Sequence, residues 1–442
     1  MSDKKITIIG GGLAGCEAAW QLIQRDCSVR IIEMRPDTHS PAHHTDNLAE
    51  LVCSNSFRSN DQTSAVGLLK EEMNRIGSLI VDTAYATEVP AGKALAVNRE
   101  DFAASITEKL TNHPKVEIVH KEVTKIPPQG DIPTIIATGP LTSSALADSL
   151  AEFTGKERLA FYDAIAPIVY SHSLDMNIIY SKSRYEDGPG DYLNCPMDKE
   201  TYQRFIKELN SADYVPLQDF ENPKYFEGCL PVEVIASRGE DTLRFGPMKP
   251  VGLADPRTGE DPYAVIQLRK ENKEGTTYNL VGFQTKLTYP EQKRIFSMIP
   301  GMENVEFARL GSIHRNTFIT SPELLEPTLQ FKGRPDLLLA GQLSGVEGYI
   351  ESAAMGMLAG INAARIVKGQ GPIIPPKETA LGSLIGHLTE SDPKRFQPSN
   401  VNFGLFPAWE KKIRKKFRGE ERAKRSFSAL DQWLEIEKFG NK

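Results

Sequence analysis

Cysteine is scarce in this 442-residue chain: there are five, at positions 16, 27, 53, 195 and 229, and none forms a CxxC pair. An odd, scattered set excludes a disulfide framework and a structural zinc site. Each cysteine is left as either a buried thiol or a nucleophile, and no metal is expected. Long apolar runs are also lacking: none approaches the ~20 residues that cross a bilayer, so no membrane partner is expected. There is no internal repeat and no low-complexity tract. The opening MSDKKITIIG passes from charge into a short apolar run that ends at glycines. No cleavage site follows a longer apolar stretch, so this reads as a first strand rather than a leader, and a cytoplasmic protein is expected. With 25% charged and 40% hydrophobic residues the composition is that of a soluble globular protein. The length suffices for two or three domains.

The net charge of −6 is unevenly spread. Residues 411–425, KKIRKKFRGEERAKR, hold nine Lys and Arg against two Glu, a local +7 that leaves −13 for the remainder. One basic segment on an otherwise acidic protein marks a candidate polyanion site. A solvated helix face is the plainer alternative.

Lys5 to Ile9 reads as a buried parallel strand that runs directly into Gly10-Gly11-Gly12-Leu13-Ala14-Gly15. Apolar residues at helical spacing follow from Leu13, then a second strand, Val29 to Ile32, closes on Glu33. Strand, glycines, helix, strand and terminal acid together form the dinucleotide fingerprint. Gly10 is expected to make the tight turn, Gly12 to admit the pyrophosphate, and Gly15 to allow close helix–strand packing. The helix N-terminus offers N–H donors to phosphate, and Glu33 would accept from the adenosine ribose hydroxyls.

Two later segments choose FAD over NAD as the held cofactor. Ile135-Ile136-Ala137-Thr138-Gly139 resembles the second motif of two-dinucleotide-fold flavoproteins. Asp336 to Gly341 is another strand reaching a glycine, followed by Gln342 and by a small-residue helix that opens through Gly345, Gly348 and Tyr349. In such flavoproteins this element approaches the ribityl chain and the flavin; many have Asp where this chain has Gln342, which can still hydrogen-bond the ribityl group.

The expected fold is therefore α/β: a doubly wound, Rossmann-like FAD-binding domain from 1–175 and 306–370, with a smaller α+β domain inserted at 176–305. In the insert, Val232–Ile235, Ala264–Leu268 and Thr277–Val281 read as strands and Lys199–Leu209 as a helix. A Gly/Pro linker precedes a tail, 371–442, with a helix near 379–389 and the basic segment, itself expected to be helical.

Two cysteines have reactive settings. Cys53, in LVCSNSFRSN, has Asn55, Ser56 and Arg58 as nearby donors and charge; Cys229, in YFEGCLPVE, is expected on a loop. A nearby cation favours the thiolate. Cys16 and Cys27 read as packing residues, and Cys195 is open.

The start GGGLAG and the segments LVCSNSFRSN, EGCLPVE, RFGPMKPVGL, VGFQTKLTYPEQKRIF and AGQLSGVEGYIESAAMG resemble the TrmFO family of folate- and FAD-dependent tRNA (uracil-5-)-methyltransferases. The longer MnmG (GidA) flavoproteins are relatives whose helical extension does not fit this length. The resemblance implies methyl transfer without S-adenosylmethionine. 5,10-Methylenetetrahydrofolate would give the carbon and FADH2, reduced by NAD(P)H, the reducing power, with C5 of uridine 54 in the tRNA T-loop as acceptor. It further implies Cys229 as nucleophile at uracil C6, and Cys53 in support, in removing the C5 proton or protecting a flavin adduct. Tyr349 corresponds to a flavin-contacting tyrosine, and His314 is a candidate to stack on the pterin or else a structural histidine. Arg244, Lys249 and Lys286 are candidates for folate glutamate or RNA phosphate, with plain solvation the alternative. The target base would have to be flipped out. Other readings stay open: the same chemistry on 23S ribosomal RNA, a small-molecule FAD oxidoreductase, or a non-enzymatic RNA-binding flavoprotein.

Overall fold

A computed structural model describes residues 5–40, 42–155, 159–184, 188, 190–216, 230–409 and 413–437. Its first sheet has six strands, in the order Gln330–Phe331, Arg334–Leu339, Thr134–Ile136, Ile6–Ile9, Val29–Glu33, Val116–His120, all parallel except the first short one. Alternate side chains go to opposite faces. Ile6 and Ile8 enter a large core, whereas Ile9 and Ile136 enter a second one with Leu146 and Leu150 of the helix Ser144–Thr154. Both faces are thus covered, as a doubly wound sheet requires.

The N-terminal helix Leu13–Ile23 and the late helix Tyr349–Val367 pack against each other through small residues. A Cβ at Gly356 would stand 2.1 Å from the Ala14 carbonyl oxygen, and one at Gly360 2.6 Å from that of Ala18. Only glycine permits so close an approach.

A second six-stranded sheet carries the insert, with Tyr192–Met197, Ala264–Lys270 and Thr277–Leu280, but it also takes in Ile168–Tyr170 and Phe307–Arg309, which fall outside the expected bounds of 176–305 because they pair with its strands. Its core runs from Val169 to Met302 and holds Cys195, fully buried. The helix Lys199–Ser211 covers it, burying Tyr202, Phe205, Ile206 and Leu209. Val232–Ala236 is a short helix, not the expected strand. Pro231 sets its N-terminus, and the Val232 N–H is spent on the Gln284 carbonyl at 2.7 Å rather than in a ladder. Local β-branching lost to that tertiary bond.

The tail packs into the first core, through Ile373, Leu381, Leu384 and Leu388 and through Leu430 and Trp433 of the helix Arg418–Ile436. The basic segment is helical only from Arg418; Lys415–Phe417 is a single 3₁₀ turn, and residues 411 and 412 lie outside the described ones.

One buried carboxylate ties three elements. Glu72, on the helix Ala65–Ile76, accepts from the N–H groups of Ala380 at 2.7 Å and Leu381 at 2.9 Å, and from the Ser426 hydroxyl. It caps the helix Ala380–Glu390 from outside and anchors the last helix. Burial pushes its carboxyl from 4.5 up to about 7, against those three bonds. A raised acid favours its protonated form in the fold, so its contribution is full below pH 4.5 and fades as pH rises through about 7. Glu72→Ala is expected to lower stability by about 2–4 kcal/mol, through the lost cap and the orphaned amides. In thermal melts the gap between wild type and variant should be wider at acid pH than at alkaline pH; a gap that widens with rising pH would contradict the assignment.

Candidate active site and cofactor groove

The strands Arg334–Leu339, Thr134–Ile136 and Ile6–Ile9 are neighbours in register, Leu339 beside Ile136 and Ile136 beside Ile9. The three glycine motifs that follow them therefore emerge side by side at the carboxyl edge of the sheet, where α/β folds bind ligands. Gly10 turns with φ +105°, and a Cβ there would meet the Ala137 carbonyl oxygen at 2.5 Å. Gly15 lies so close that its Cβ would stand 1.9 Å from the Gly10 carbonyl oxygen. At Gly12 a Cβ would meet nothing within 4 Å, although this residue caps the helix Leu13–Ile23 without any side-chain bond to its amides. The cradle is open where a pyrophosphate would sit, and among the described residues no side chain caps the first amides of the helix. Leu13 and Ala14 form the first turn behind it.

Gly10, Gly11, Gly12, Glu33 and Thr138 line this groove together. Glu33 is already held: its Oε2 accepts from the Gly11 N–H at 2.7 Å and its Oε1 from Arg35 Nε at 2.9 Å. Burial would raise the carboxyl, but Arg35 and the Gly11 amide outweigh it and keep it below the usual value. Arg35, 1% exposed, also pairs with Glu50 at 3.2 Å, so it fixes this acid at the edge of the groove. Thr138 hydroxyl lies 2.6 Å from that of Thr142, and Gly139 takes φ +69°. These residues fit the dinucleotide the fingerprint implies.

Leu141 borders this groove, a cleft of about 1050 Å³ and a cavity of about 280 Å³, so the three lie side by side. The smaller cavity gathers Cys53, Gln342, Glu347, Tyr349 and His314. Gly341, with φ +80°, follows the strand Arg334–Leu339 and turns the chain toward Gln342, Glu347 and Tyr349. Gln342 donates from Nε2 to Glu347, a buried carboxyl raised well above its ordinary value by burial and by Asp163. His314 sits on the strand Ser312–Phe318 opposite Asp163, with Nε2 2.8 Å from the Ser312 hydroxyl. Burial and the Arg309 charge lower it to about 4, so at neutral pH it presents an uncharged ring.

The Cys53 loop is clamped through its backbone. The N–H groups of Cys53 and Ser54 both donate to Tyr349 Oη, at 2.8 and 3.0 Å. Arg309 donates to the carbonyls of Val52 and Cys53, at 3.2 and 3.3 Å. Arg99 donates to the Leu51 carbonyl and pairs with Glu271 at 2.9 Å. Of the donors expected from sequence, Ser56 and Arg58 line the same cavity, but Arg58 is paired with Glu351, and Asn55 is spent on Val97, Lys270 and Arg269. Burial, aided by Asp163, pushes the Cys53 thiol up to about 12 despite Arg309 and Arg99. The expected cation effect is real but too small; Cys53 rests as a neutral thiol.

A model of the glucose inhibited division protein A family matches residues 5–371. The chain is 70% identical over 431 residues to the Desulfotalea psychrophila protein named methylenetetrahydrofolate–tRNA-(uracil-5-)-methyltransferase TrmFO, covering 98% of this chain and 97% of that one. To the protein of the same name from Geobacter sulfurreducens it is 58% identical over 430 residues, covering 97% and 98%. The chain belongs to the TrmFO family. Its fold is that of Aquifex aeolicus GidA, with a TM-score of 0.71 at 17% identity, covering 100% of this chain and 75% of that one.

Of the residues the TrmFO resemblance singled out, Cys53, His314 and Tyr349 meet in one cavity. Cys229 lies outside the described residues; the segment that follows it begins with buried Leu230 and reaches Glu233, whose carboxyl burial pushes up to about 7. Arg244 stacks on Tyr263, 3.6 Å from the ring centroid, and pairs with Asp241. Lys286 lies over the Tyr214 ring at 4.4 Å, and the Lys249 carbonyl accepts from Arg184. None of these three lines the cavity. Cys16 and Cys27 are buried packing residues. The TrmFO motifs flagged Glu347 only as part of GVEGYIES, and nothing local marked Arg35, Arg99, Arg309 or Asp163, which act from separate elements.

Proposed function

We propose that this chain forms 5-methyluridine at uridine 54 of the tRNA T-loop, taking the carbon from 5,10-methylenetetrahydrofolate. The observation that carries this reading is the meeting of Cys53, Tyr349 and His314 in one cavity that shares Leu141 as a wall with the dinucleotide groove. Near-full-length relatives named for this activity support it.

FAD, reduced by NAD(P)H, would supply the reducing equivalents that turn the transferred methylene into methyl. The amides at Gly12 and the first helical turn would hold its pyrophosphate, Glu33 its ribose, and Gly341, Gln342 and Tyr349 its other end. His314, neutral at pH 7, offers a flat ring to the pterin without repelling a cation. Cys229 adds to uracil C6, the C5=C6 pair moves toward O4, and C5 becomes nucleophilic. Cys53 rests protonated, so it acts on C5 only after its own proton has left; the raised carboxyl of Glu347 borders the same cavity.

RNA phosphate is met by the tail. Among the described residues Arg414, Lys415 and Lys416 make no ion pair, whereas Lys424 and Arg425 are engaged with Glu420, Glu421 and Glu378. Replacing those three cations by alanine should lower the slope of log affinity against log salt by about 2–3, at ~0.7–0.9 per phosphate contact. An unchanged slope in filter-binding titrations would move the RNA site elsewhere.

The deciding experiment incubates the flavin-loaded protein, and a Cys229→Ala variant, with unmodified tRNA transcript, methylenetetrahydrofolate and NADPH. Digested RNA is assayed for 5-methyluridine by mass spectrometry. Product that needs folate and vanishes in the variant is expected. NADPH oxidation without 5-methyluridine would defeat the tRNA assignment and make 23S ribosomal RNA the next substrate.

A further inference from the structure

On the floor of the 280 Å³ cavity, two strands of the inserted sheet place Arg269 and Asn279 directly opposite each other in an antiparallel register. Both are deeply buried, 7% and 4% exposed. Arg269 is held from behind: its Nε donates to Asn55 Oδ1 at 3.0 Å and its Nη2 to the Ser54 hydroxyl at 2.9 Å. Those bonds fix the guanidinium beside the Cys53 loop. Asn279 is different. Its Nδ2 is buried and has no hydrogen-bond partner among the described residues. An unmade bond of this kind costs the fold stability, and native proteins keep such a group where a ligand completes it.

We propose that Arg269 and Asn279 form a subsite that reads a cyclic lactam edge, a ring carbonyl beside a ring N–H. The carboxamide offers a donor and an acceptor side by side, which matches that edge. Arg269 has donors only, so it fixes which way the edge must lie: a carbonyl oxygen is accepted and an amino group is repelled. The pairing therefore selects uracil over cytosine if the ligand is the reacting base. Two other rings bring the same edge, the pterin of the folate and the pyrimidine ring of the flavin. The inference deepens the proposed function and rests on it for the choice of these three ligands.

The full-length chain is compared with Asn279→Leu, which keeps size and removes both polar atoms, and with Asn279→Asp, which turns the donor into an acceptor. Equilibrium dissociation constants are measured for FAD, for tetrahydrofolate by the flavin absorbance change, and for a T-arm RNA hairpin. Thermal melts of the ligand-free protein are run beside them. The expected result is a rise of about 10- to 100-fold in the constant of one ligand, with the other two within about threefold. The ligand affected names the source of the edge. The leucine variant should melt no lower than wild type, because the fold loses no bond. Unchanged constants for all three ligands overturn the subsite. So does a lowered melting temperature in Asn279→Leu, which would give Nδ2 a structural role. If the wild-type protein makes no 5-methyluridine, the proposed function fails while the three titrations still decide the subsite.

Discussion

Replacing Cys53 by alanine is expected to give a folded, flavin-loaded protein whose 5-methyluridine formation falls by about 10²–10⁴-fold, the range for loss of a positioned acid or base. The loop does not depend on the thiol for its shape. Its amides are held by Tyr349 and its carbonyls by Arg309, while among the described residues Sγ bonds weakly to the Ala164 carbonyl, at 3.9 Å. Alanine therefore removes the reactive atom and spares the framework. Flavin absorbance per chain and the melting temperature check that the framework survives; mass-spectrometric assay of the product reads the chemistry. A variant that works within threefold of wild type would remove Cys53 from the reaction. With its thiol pushed up to about 12, the wild-type group is protonated through the neutral range.

The glycines separate fold from cofactor. Gly15→Val should cost about 3 kcal/mol or more and abolish flavin loading, because its first side-chain carbon would overlap the Gly10 carbonyl oxygen, 1.9 Å away. Gly356→Val should behave alike, against the Ala14 carbonyl oxygen at 2.1 Å. In both cases the obstacle is backbone, which cannot swing aside. Gly12→Ala is the contrast: nothing in the protein lies within 4 Å of its Cβ, so the ligand-free protein should melt as wild type. Its flavin affinity should still drop, since the methyl group occupies the space a phosphate needs. Equal melting temperatures for Gly12→Ala and Gly15→Val would refute this division.

The dinucleotide half of the molecule could be read from the chain because its signals are local. A strand, a glycine turn and a helix occupy adjacent residues, and each constrains the next; Ile6–Ile9, Leu13–Ile23 and Val29–Glu33 lie where the pattern put them. The late helix was legible for the same reason, since its small residues repeat at helical spacing. Val232–Ala236 was not, because a bond from Val232 to Gln284 overrode β-branched propensity. The site was half legible. Cys53, His314 and Tyr349 stand in unusual segments, but their neighbours Arg99, Arg309 and Asp163 are joined to them only by tertiary folding. Arg269 and Asn279 become partners only through strand register, which a single chain does not announce. Charge proximity along the sequence also misled: Arg58 is five residues from Cys53 yet spends its charge on Glu351.

The clamp on the Cys53 loop has a mechanical meaning. Tyr349 grips it from the dinucleotide side, while Arg269 and the Lys270 carbonyl grip it from the inserted sheet. The loop is thus a rivet through both layers, and the layers cannot part without shearing it. Breathing of the two halves and displacement of the thiol are one motion rather than two. Deuterium uptake at the amides of Cys53 and Ser54 should consequently rise in step with uptake along Ala264–Lys270, giving the molecule a built-in gauge of its own opening.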